Sequence, residues 1–145
     1  MAFYQGKFKP HNPKKYIGNT NDIIYRSSWE WKYMMKLDHD PNVLKWSSEE
    51  FFIPYRSPID GKTHRYFPDF LICRKTPQGE VTELIEIKPA QQTKAPSQGK
   101  KRRITFINEV YRFGVNDAKW KAAKIYCENK GWKFRILTEK DLNVF

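Results

Sequence analysis

The sequence predicts a mixed α/β domain, in which a small central sheet built on an antiparallel hairpin carries helices on its faces. Two apolar runs around the turn TPQG predict the hairpin. A helical pattern precedes them, and a long helical stretch, a strand and a short helix follow. The 145 residues suffice for one core, so we expect a single domain over residues 21–145, preceded by a basic, aromatic arm over residues 1–20.

The segment before the hairpin predicts an arm, a helix and two strands. Residues 1–20 are polar, basic and proline-containing, which is typical of an extended arm. Ser27 is the predicted N-cap of a helix over residues 28–37, where apolar residues recur at helical spacing. Two short strands are then expected near residues 43–47 and 50–55.

The second half of the chain predicts the hairpin, a loop and the remaining helices. Residues 64–75 and 80–88 are the predicted hairpin strands. Residues 89–103 hold two prolines and five basic residues and have no apolar face, so we expect a mobile loop. The next helix is expected to run to about Asn129, with a break near Gly114. WKFRIL predicts a strand, and TEKDL, a capping-box pattern, opens the last helix.

The net charge of +11 is concentrated toward the two ends of the chain. Residues 41–88 hold seven basic and seven acidic residues, whereas residues 89–145 hold 13 basic and five acidic ones. Such an excess favours a polyanionic partner, most simply nucleic acid. The alternative is a basic soluble protein without such a partner.

Membrane-spanning and secreted classes are disfavoured. No apolar run is long enough to span a bilayer, and the N-terminus lacks the apolar core of a secretory signal. Cys73 and Cys127 stand 54 residues apart with no CxxC or HxxxH nearby, so no structural zinc site is expected around them. Two isolated thiols fit a reducing cytoplasm.

Two acids interrupt the apolar strands of the hairpin. Because side chains in a strand alternate between faces, Glu86 and Lys88 share one face and Ile87 lies on the other. If the turn TPQG closes the hairpin symmetrically, paired positions sum to 155, and Asp69 then lies opposite Glu86. A bulge at Gly79 would shift this pairing by one residue, so the register stays open.

Facing carboxylates near a core require an explanation, because like charges across a sheet repel and buried charges are costly. A divalent cation such as Mg²⁺ would offset that cost, since it favours carboxylate oxygens. Lys88 would add a positive charge on the same side, suited to stabilising a phosphate or deprotonating a water. The alternative is structural: Glu86 and Lys88 form an exposed ion pair, and Asp69 caps a turn after Pro68.

FPDF, followed 17 residues after its Asp by EIK, resembles the PD-(D/E)xK nuclease signature. A helix carrying Glu30 precedes it, and the FPDF hairpin, together with residues 116–142, is similar to TnsA-like transposon endonucleases. The opening YQGKFKPHNPKKYIGN and IIYRSSWE resembles the family of head completion nucleases of T-even-like tailed bacteriophages, and this resemblance covers nearly the whole chain.

The resemblance implies a restriction-endonuclease-like core and a Mg²⁺-dependent DNA endonuclease, with Mn²⁺ as a substitute. It implies that Asp69, Glu86 and the backbone carbonyl of Ile87 bind the metal, that Lys88 is the catalytic base, and that Glu30 is a further acid near the metal. Ser27-x-x-Glu30 is also a capping-box pattern, which gives Glu30 a structural alternative.

The same resemblance implies a place in phage assembly. The protein would act on DNA at the head portal after packaging and before tail joining. Portal or neck proteins would be its partners, and no membrane is involved. It would be found in the host cytoplasm during assembly and retained in the virion head. The main rival interpretation is a non-catalytic virion protein that binds DNA or plugs the portal, and a weaker one is an RNA-binding factor.

Basic residues near these motifs are the predicted nucleic-acid contacts. Arg26 precedes a helix N-terminus, where a phosphate can bind. Gln91 follows the EIK motif closely enough to reach the scissile phosphate, whereas His64, at the cleft rim, is more simply a surface residue. The aromatic residues of the arm are suited to stacking on unpaired bases or to docking on the portal. The predicted contacts are Arg26, Arg65, Lys100, Lys101, Arg102 and Arg103, with Lys7, Lys9, Lys14 and Lys15 in the arm.

Overall fold

The structure, a computed structural model, describes residues 3–142 of the chain, with side chains from residue 5 onward. Its strands are β1 (Phe3–Lys7), β2 (Ile24–Ser27), β3 (Val43–Ser48), β4 (Ile53–Arg56), β5 (Thr63–Tyr66), β6 (Phe70–Thr76), β7 (Gly79–Ile87) and β8 (Lys133–Leu137). Its helices are α1 (Ser28–His39), α2 (Arg103–Lys130) and α3 (Glu139–Leu142), with 3₁₀ turns at Pro13–Lys15 and Ala90–Thr93.

A mixed four-stranded sheet forms the centre of the molecule, in the order β3-β6-β7-β8. The first three strands are antiparallel, and β8 joins β7 in parallel after the crossover through α2. Two small antiparallel pairs, β1-β2 and β4-β5, flank this sheet. The predicted α/β class, with a central mixed sheet, an antiparallel hairpin and flanking helices, is confirmed, and it is consistent with a restriction-endonuclease-like fold.

The two faces of the sheet carry separate cores. Ile85 and Ile87 of β7 pack with Met34 of α1 in one cluster. Leu84 lies on the opposite face and packs with Trp120 of α2 in the second cluster. The predicted alternation along β7 is therefore correct, and it leaves Glu86 directed toward α2.

The hairpin register agrees with the symmetric pairing. Phe70 pairs with Ile85, and the ladder continues without a shift to Thr76 and Gly79, so every pair sums to 155. The first hairpin strand is shorter than predicted, however. Residues 64–75 divide into β5, which pairs with β4, and β6, which pairs with β3 and β7. The break falls next to Pro68, which has no backbone N–H to donate to a ladder.

The helices begin close to the predicted positions and extend further. In α1, the Ser27 hydroxyl accepts a hydrogen bond from the Glu30 N–H at 3.1 Å, as an N-cap does. The α2 helix runs unbroken through Gly114, so the predicted break is wrong. At α3, the Thr138 N–H donates to the Asp141 carboxylate at 2.8 Å, which confirms the capping box.

The N-terminal segment differs from the extended arm that the sequence predicts. β1 pairs with β2, so the backbone of the segment joins the body. Phe8 and Tyr16 are buried in the core cluster around α1, and Tyr16 forms a bridge with Trp46 of β3. Phe8 and Tyr16 thus pack against the body of the protein, because burial of apolar area outweighs the solvation of an extended chain. Within residues 3–142, no helix combines the length and the apolar composition that crossing a membrane requires.

Candidate active site

Asp69 and Glu86 come together where the β6-β7 hairpin opens. Asp69 stands one residue before β6, and Glu86 is the penultimate residue of β7. Regular pairing ends at Phe70 and Ile85, so the Asp69 side chain turns onto the neighbouring strand instead of continuing the ladder. Its Oδ2 accepts a hydrogen bond from the Ile87 N–H at 2.7 Å. The backbone of β7 therefore orients the first acid, while β7 also carries the second.

Glu86 is held from the helix side of the sheet. Its side chain is 5% exposed, and the Trp120 Nε1–H of α2 donates to its Oε2 at 3.5 Å. The Tyr66 hydroxyl of β5 is buried and has no hydrogen-bond partner within residues 3–142. Burial, with the charges of Glu86 and Asp69 after it, raises the pKa of Tyr66, so the phenol beside the acids stays neutral.

The two carboxyl groups resist ionising together. Burial raises the pKa of Asp69 well above its ordinary value, and the charge of Glu86 raises it further. Burial likewise raises the pKa of Glu86, whereas the positive charge of Lys88 lowers the pKa values of both acids. Two close, buried carboxylates are a ligand set that suits a hard divalent cation. The residues at this position therefore fit Mg²⁺ or Mn²⁺.

Glu30 reaches the same region from the N-terminus of α1. Its Oε1 accepts from the Arg26 N–H at 3.2 Å, one residue earlier than a capping box requires. Burial raises the pKa of Glu30, and the charges of Glu49 and Glu86 contribute. The backbone N–H of Glu30 donates to the Ser27 hydroxyl, which caps the helix, so Glu30 has a structural role there. Its carboxylate is also near enough to Asp69 to interact with it electrostatically.

Lys88 follows β7 directly. Its N–H donates to the Leu137 carbonyl at 2.9 Å, which extends the pairing with β8 by one residue. The Ile87 N–H donates to the Asp69 carboxylate, so residues 87 and 88 both orient an acid of the site and continue the pairing with β8. Metal binding by the Ile87 carbonyl remains a prediction.

Glu49, which no sequence pattern singled out, contacts both Asp69 and Arg26. It is the one non-glycine residue with a positive φ, 56°, within residues 3–142. Its N–H donates to the Asp69 carbonyl at 3.2 Å, and its carboxylate forms an ion pair with Arg26. Strained backbone of this kind is found at functional sites when the surroundings hold it in place. Arg26, predicted as a phosphate contact, is exposed, but its guanidinium is already paired with the Glu49 carboxylate.

An exposed aromatic pair, which no sequence pattern predicted, borders the site. The rings of Phe52 and Phe67 lie 5.6 Å apart and are 44% and 43% exposed. Arg65 places its guanidinium 5.0 Å from the Phe52 ring centroid. Phe67 is two residues from Asp69. Arg65, a predicted nucleic-acid contact, therefore packs on apolar surface close to the acids. His64 binds Asp60 at 2.8 Å, which supports the simpler surface interpretation.

The remaining predicted contacts lie in three places. Lys100, Lys101, Arg102 and Arg103 are exposed before and at the start of α2, where Lys101 pairs with Glu109 at 2.8 Å. Gln91 is exposed in the 3₁₀ turn that follows Lys88. The exposed lysines of the N-terminal segment are Lys7, Lys9 and Lys14.

Lys15 differs from these. Its Nζ donates to the carbonyls of Leu37, Asp38 and Asp40 at 2.8, 3.0 and 2.8 Å. All three ammonium protons are thus engaged at the C-terminal end of α1, and none remains for a phosphate. We therefore remove Lys15 from the predicted DNA contacts.

Comparisons with known proteins agree with the signature read from the sequence. Residues 40–139 match the model of the TnsA-like endonuclease N-terminal family, and this range contains Asp69, Glu86 and Lys88. The chain is also similar to the head completion nuclease of Enterobacteria phage T4, at 43% identity over 146 aligned positions. That alignment covers 96% of this chain and 93% of the phage T4 protein.

Proposed function

The chain belongs to the TnsA-like endonuclease family, and from this premise we propose that it is a metal-dependent DNA endonuclease with its reaction centre at Asp69, Glu86 and Lys88. The observation that carries the proposal is the pair of buried carboxyl groups at the open end of the hairpin, oriented by the Ile87 N–H and the Trp120 indole. A packed core gains nothing from two adjacent acids, whereas a cation site requires them.

Mg²⁺, or Mn²⁺ in its place, would polarise the scissile phosphate and lower the pKa of a water when bound. Asp69 and Glu86 would hold it, with the Ile87 carbonyl as a further ligand and Glu30 as an acid beside it. Lys88 would orient the attacking water or accept its proton, and its charge would stabilise the additional negative charge on the phosphate. Arg26 and the exposed basic residues 100–103 would bind the DNA backbone.

We further propose that the protein acts in phage head completion, after DNA packaging and before tail joining. The support is the name of the phage T4 relative, which aligns with nearly the whole chain. Portal or neck proteins would then be partners, with the host cytoplasm as the place of assembly and the virion head as the final location. The exposed Phe52–Phe67 pair is suited to contact with DNA bases or with such a protein partner.

The test is cleavage of supercoiled plasmid by purified protein with Mg²⁺ or Mn²⁺. Asp69→Asn, Glu86→Gln and Lys88→Met are each expected to lower the rate by about a hundredfold or more, since each removes charge from the reaction centre. Glu80→Gln and Lys75→Met are the matched controls, because they make the same changes at exposed positions of the same hairpin. Chelation with EDTA should abolish cleavage.

Equal cleavage by the Asp69, Lys88 and control variants would exclude the proposed centre. A folded Asp69→Asn variant that supports assembly of infectious particles would instead favour the non-catalytic virion protein. Mn²⁺ titration of the metal-free protein, with Asp69→Asn beside it, measures the metal requirement separately from turnover.

A further inference from the structure

A second group of polar side chains lies at the opposite end of α1 from the acids. Asp38 has no exposed surface, and the Nδ1 atoms of His11 and His39 each lie 3.8 Å from its Oδ2. One ligand atom from each of the three residues lies within 4.8 Å of the others. Because nine residues of helix separate Glu30 from His39, this group is about 14 Å along the axis from the acids.

We propose that His11, Asp38 and His39 form a binding site for a divalent ion of the zinc class, separate from the acids at Asp69 and Glu86. Two imidazoles and one carboxylate are the ligands that Zn²⁺, Co²⁺ and Ni²⁺ prefer, whereas Mg²⁺ favours oxygen atoms and waters. Three protein ligands leave a further position for water.

The carboxylate is oriented before any ion binds. Asp38 Oδ2 accepts the His11 N–H at 2.8 Å, and Oδ1 accepts the Asn12 N–H at 3.1 Å. Each carboxylate oxygen has a second lone pair, which these backbone donors leave free. The Asp38 carboxyl group has no direct ammonium or guanidinium partner within residues 3–142, and the nearby Lys15 donates to the backbone carbonyl of Asp38 instead.

The imidazoles lie near the carboxylate, slightly farther from it than ligands of one ion would be. His11 Nδ1 is 3.8 Å from Asp38 Oδ2, which is too long for a hydrogen bond and about 0.5 Å longer than the separation of two ligand atoms on one tetrahedral zinc. His39 Nδ1, at the same 3.8 Å from Asp38 Oδ2, lies 2.9 Å from the Met35 carbonyl. When Nδ1 donates to that carbonyl, Nε2 is the free ligand atom of the ring and turns toward the ion by rotation of the side chain. A ring N–H donated to a backbone carbonyl is the usual outer contact of a metal-binding histidine.

The ion would fasten two parts of the chain that are distant in sequence. His11 precedes the 3₁₀ turn of the N-terminal segment, and His39 ends α1. The rings are 5.0 Å apart between centroids and 68% and 49% exposed, so small rotations can close the site and an ion can enter from solvent. Binding to the folded state alone stabilises that state by mass action.

The experiment uses untagged, full-length protein with Mg²⁺ in excess, titrated with ZnCl₂ in a calorimeter and, in parallel, by thermal unfolding. Wild type is expected to bind one equivalent of Zn²⁺ through histidine and to unfold about 5 °C higher at saturation. His11→Ala and His39→Ala are expected to weaken this binding about tenfold or more and to lose the thermal shift. Co²⁺ should give visible absorption bands that both variants lose.

His64→Ala is the matched control, because His64 is the third of the chain's three histidines and is 45% exposed in a pair with Asp60. It should retain the Zn²⁺ affinity and the thermal shift. Equal Zn²⁺ affinity in all three histidine variants, or no histidine-dependent binding in wild type, would overturn the proposal. Neither outcome depends on DNA cleavage, so the result is independent of the proposed endonuclease.

Discussion

Asp69 shows how one residue gains its position from a neighbour in sequence and two contacts in space. Pro68 interrupts the ladder, so the strand after it begins anew at Phe70. The Asp69 side chain, which lies outside the ladder, accepts a hydrogen bond from the Ile87 N–H, and the Asp69 backbone carbonyl accepts one from the Glu49 N–H. The acid is therefore fixed through both its side chain and its backbone, which is the rigidity that a reaction centre requires.

Asp69, Glu86 and Lys88 could be proposed from the sequence because they are close along the chain and their strand register follows from the alternation of side chains. The sequence did not point to Trp120 or Glu49. Trp120 stands 34 residues after Glu86, on an apolar helix face where a tryptophan is more simply a core residue. Contacts of that range depend on how α2 crosses the sheet, which a single sequence does not specify.

Lys15 provides a test at the scale of single residues. Lys15→Met removes three charge-assisted hydrogen bonds from the carbonyls at the end of α1, so we expect the free energy of unfolding to fall by about 1–3 kcal/mol. The adjacent Lys14→Met changes an exposed side chain and should alter it by no more than about 0.5 kcal/mol. Urea denaturation measures both. A stable Lys15→Met protein with weakened DNA binding would instead restore the original prediction of a DNA contact.

Among the elements, the hairpin was the best predicted and the N-terminal segment the worst. The hairpin is local, and its turn and alternation agree with one register. Residues 3–20 contain lysines and prolines that suggest an extended arm, but Phe8 and Tyr16 pack in the core cluster around α1 and β3. Composition averages over such a segment, whereas these two buried rings hold it against the body.

Replacement by alanine should change the stability in opposite directions at two glycines, one within α2 and one just after its last residue. Gly114 lies within the helix, and an added Cβ would meet Pro58 at 3.9 Å, an ordinary contact. Gly114→Ala is therefore expected to stabilise the protein by about 0.5–1 kcal/mol. Gly131 ends the helix at a φ of 73°, so Gly131→Ala is expected to destabilise it by about 1 kcal/mol. Thermal unfolding of the pair measures the difference. Destabilisation by Gly114→Ala would indicate that α2 bends there.

For the molecule as a whole, the charge distribution has a measurable consequence. The net charge of +11 should make binding to duplex DNA steeply salt-dependent, because each neutralised phosphate releases counterions. Lys100, just before α2, and Arg103, its first residue, are exposed and have no acidic partner among residues 3–142, unlike Lys101, which pairs with Glu109. Replacing both with Met should lower the slope of log K against log salt by about 2.

The matched control for this titration is the double variant Lys121→Met, Lys124→Met. Both residues are exposed on α2, well beyond its first turns, and Lys121 pairs with Asp117 at 2.8 Å. It removes the same formal charge at another place. If the two double variants reduce the slope equally, residues 100–103 have no particular contact with DNA and only the total charge matters.

The bridge between Tyr16 and Trp46 affects how truncated forms should be interpreted. β3 is an edge of the central sheet, and the N-terminal segment covers it there, with the Ile17 N–H donating to the Trp46 carbonyl at 2.8 Å. Removing residues 1–20 would uncover unpaired backbone groups and the apolar surface beneath Phe8. An uncovered strand edge recruits strands from other copies. Shortened protein would therefore self-associate, and its loss of DNA binding would report aggregation.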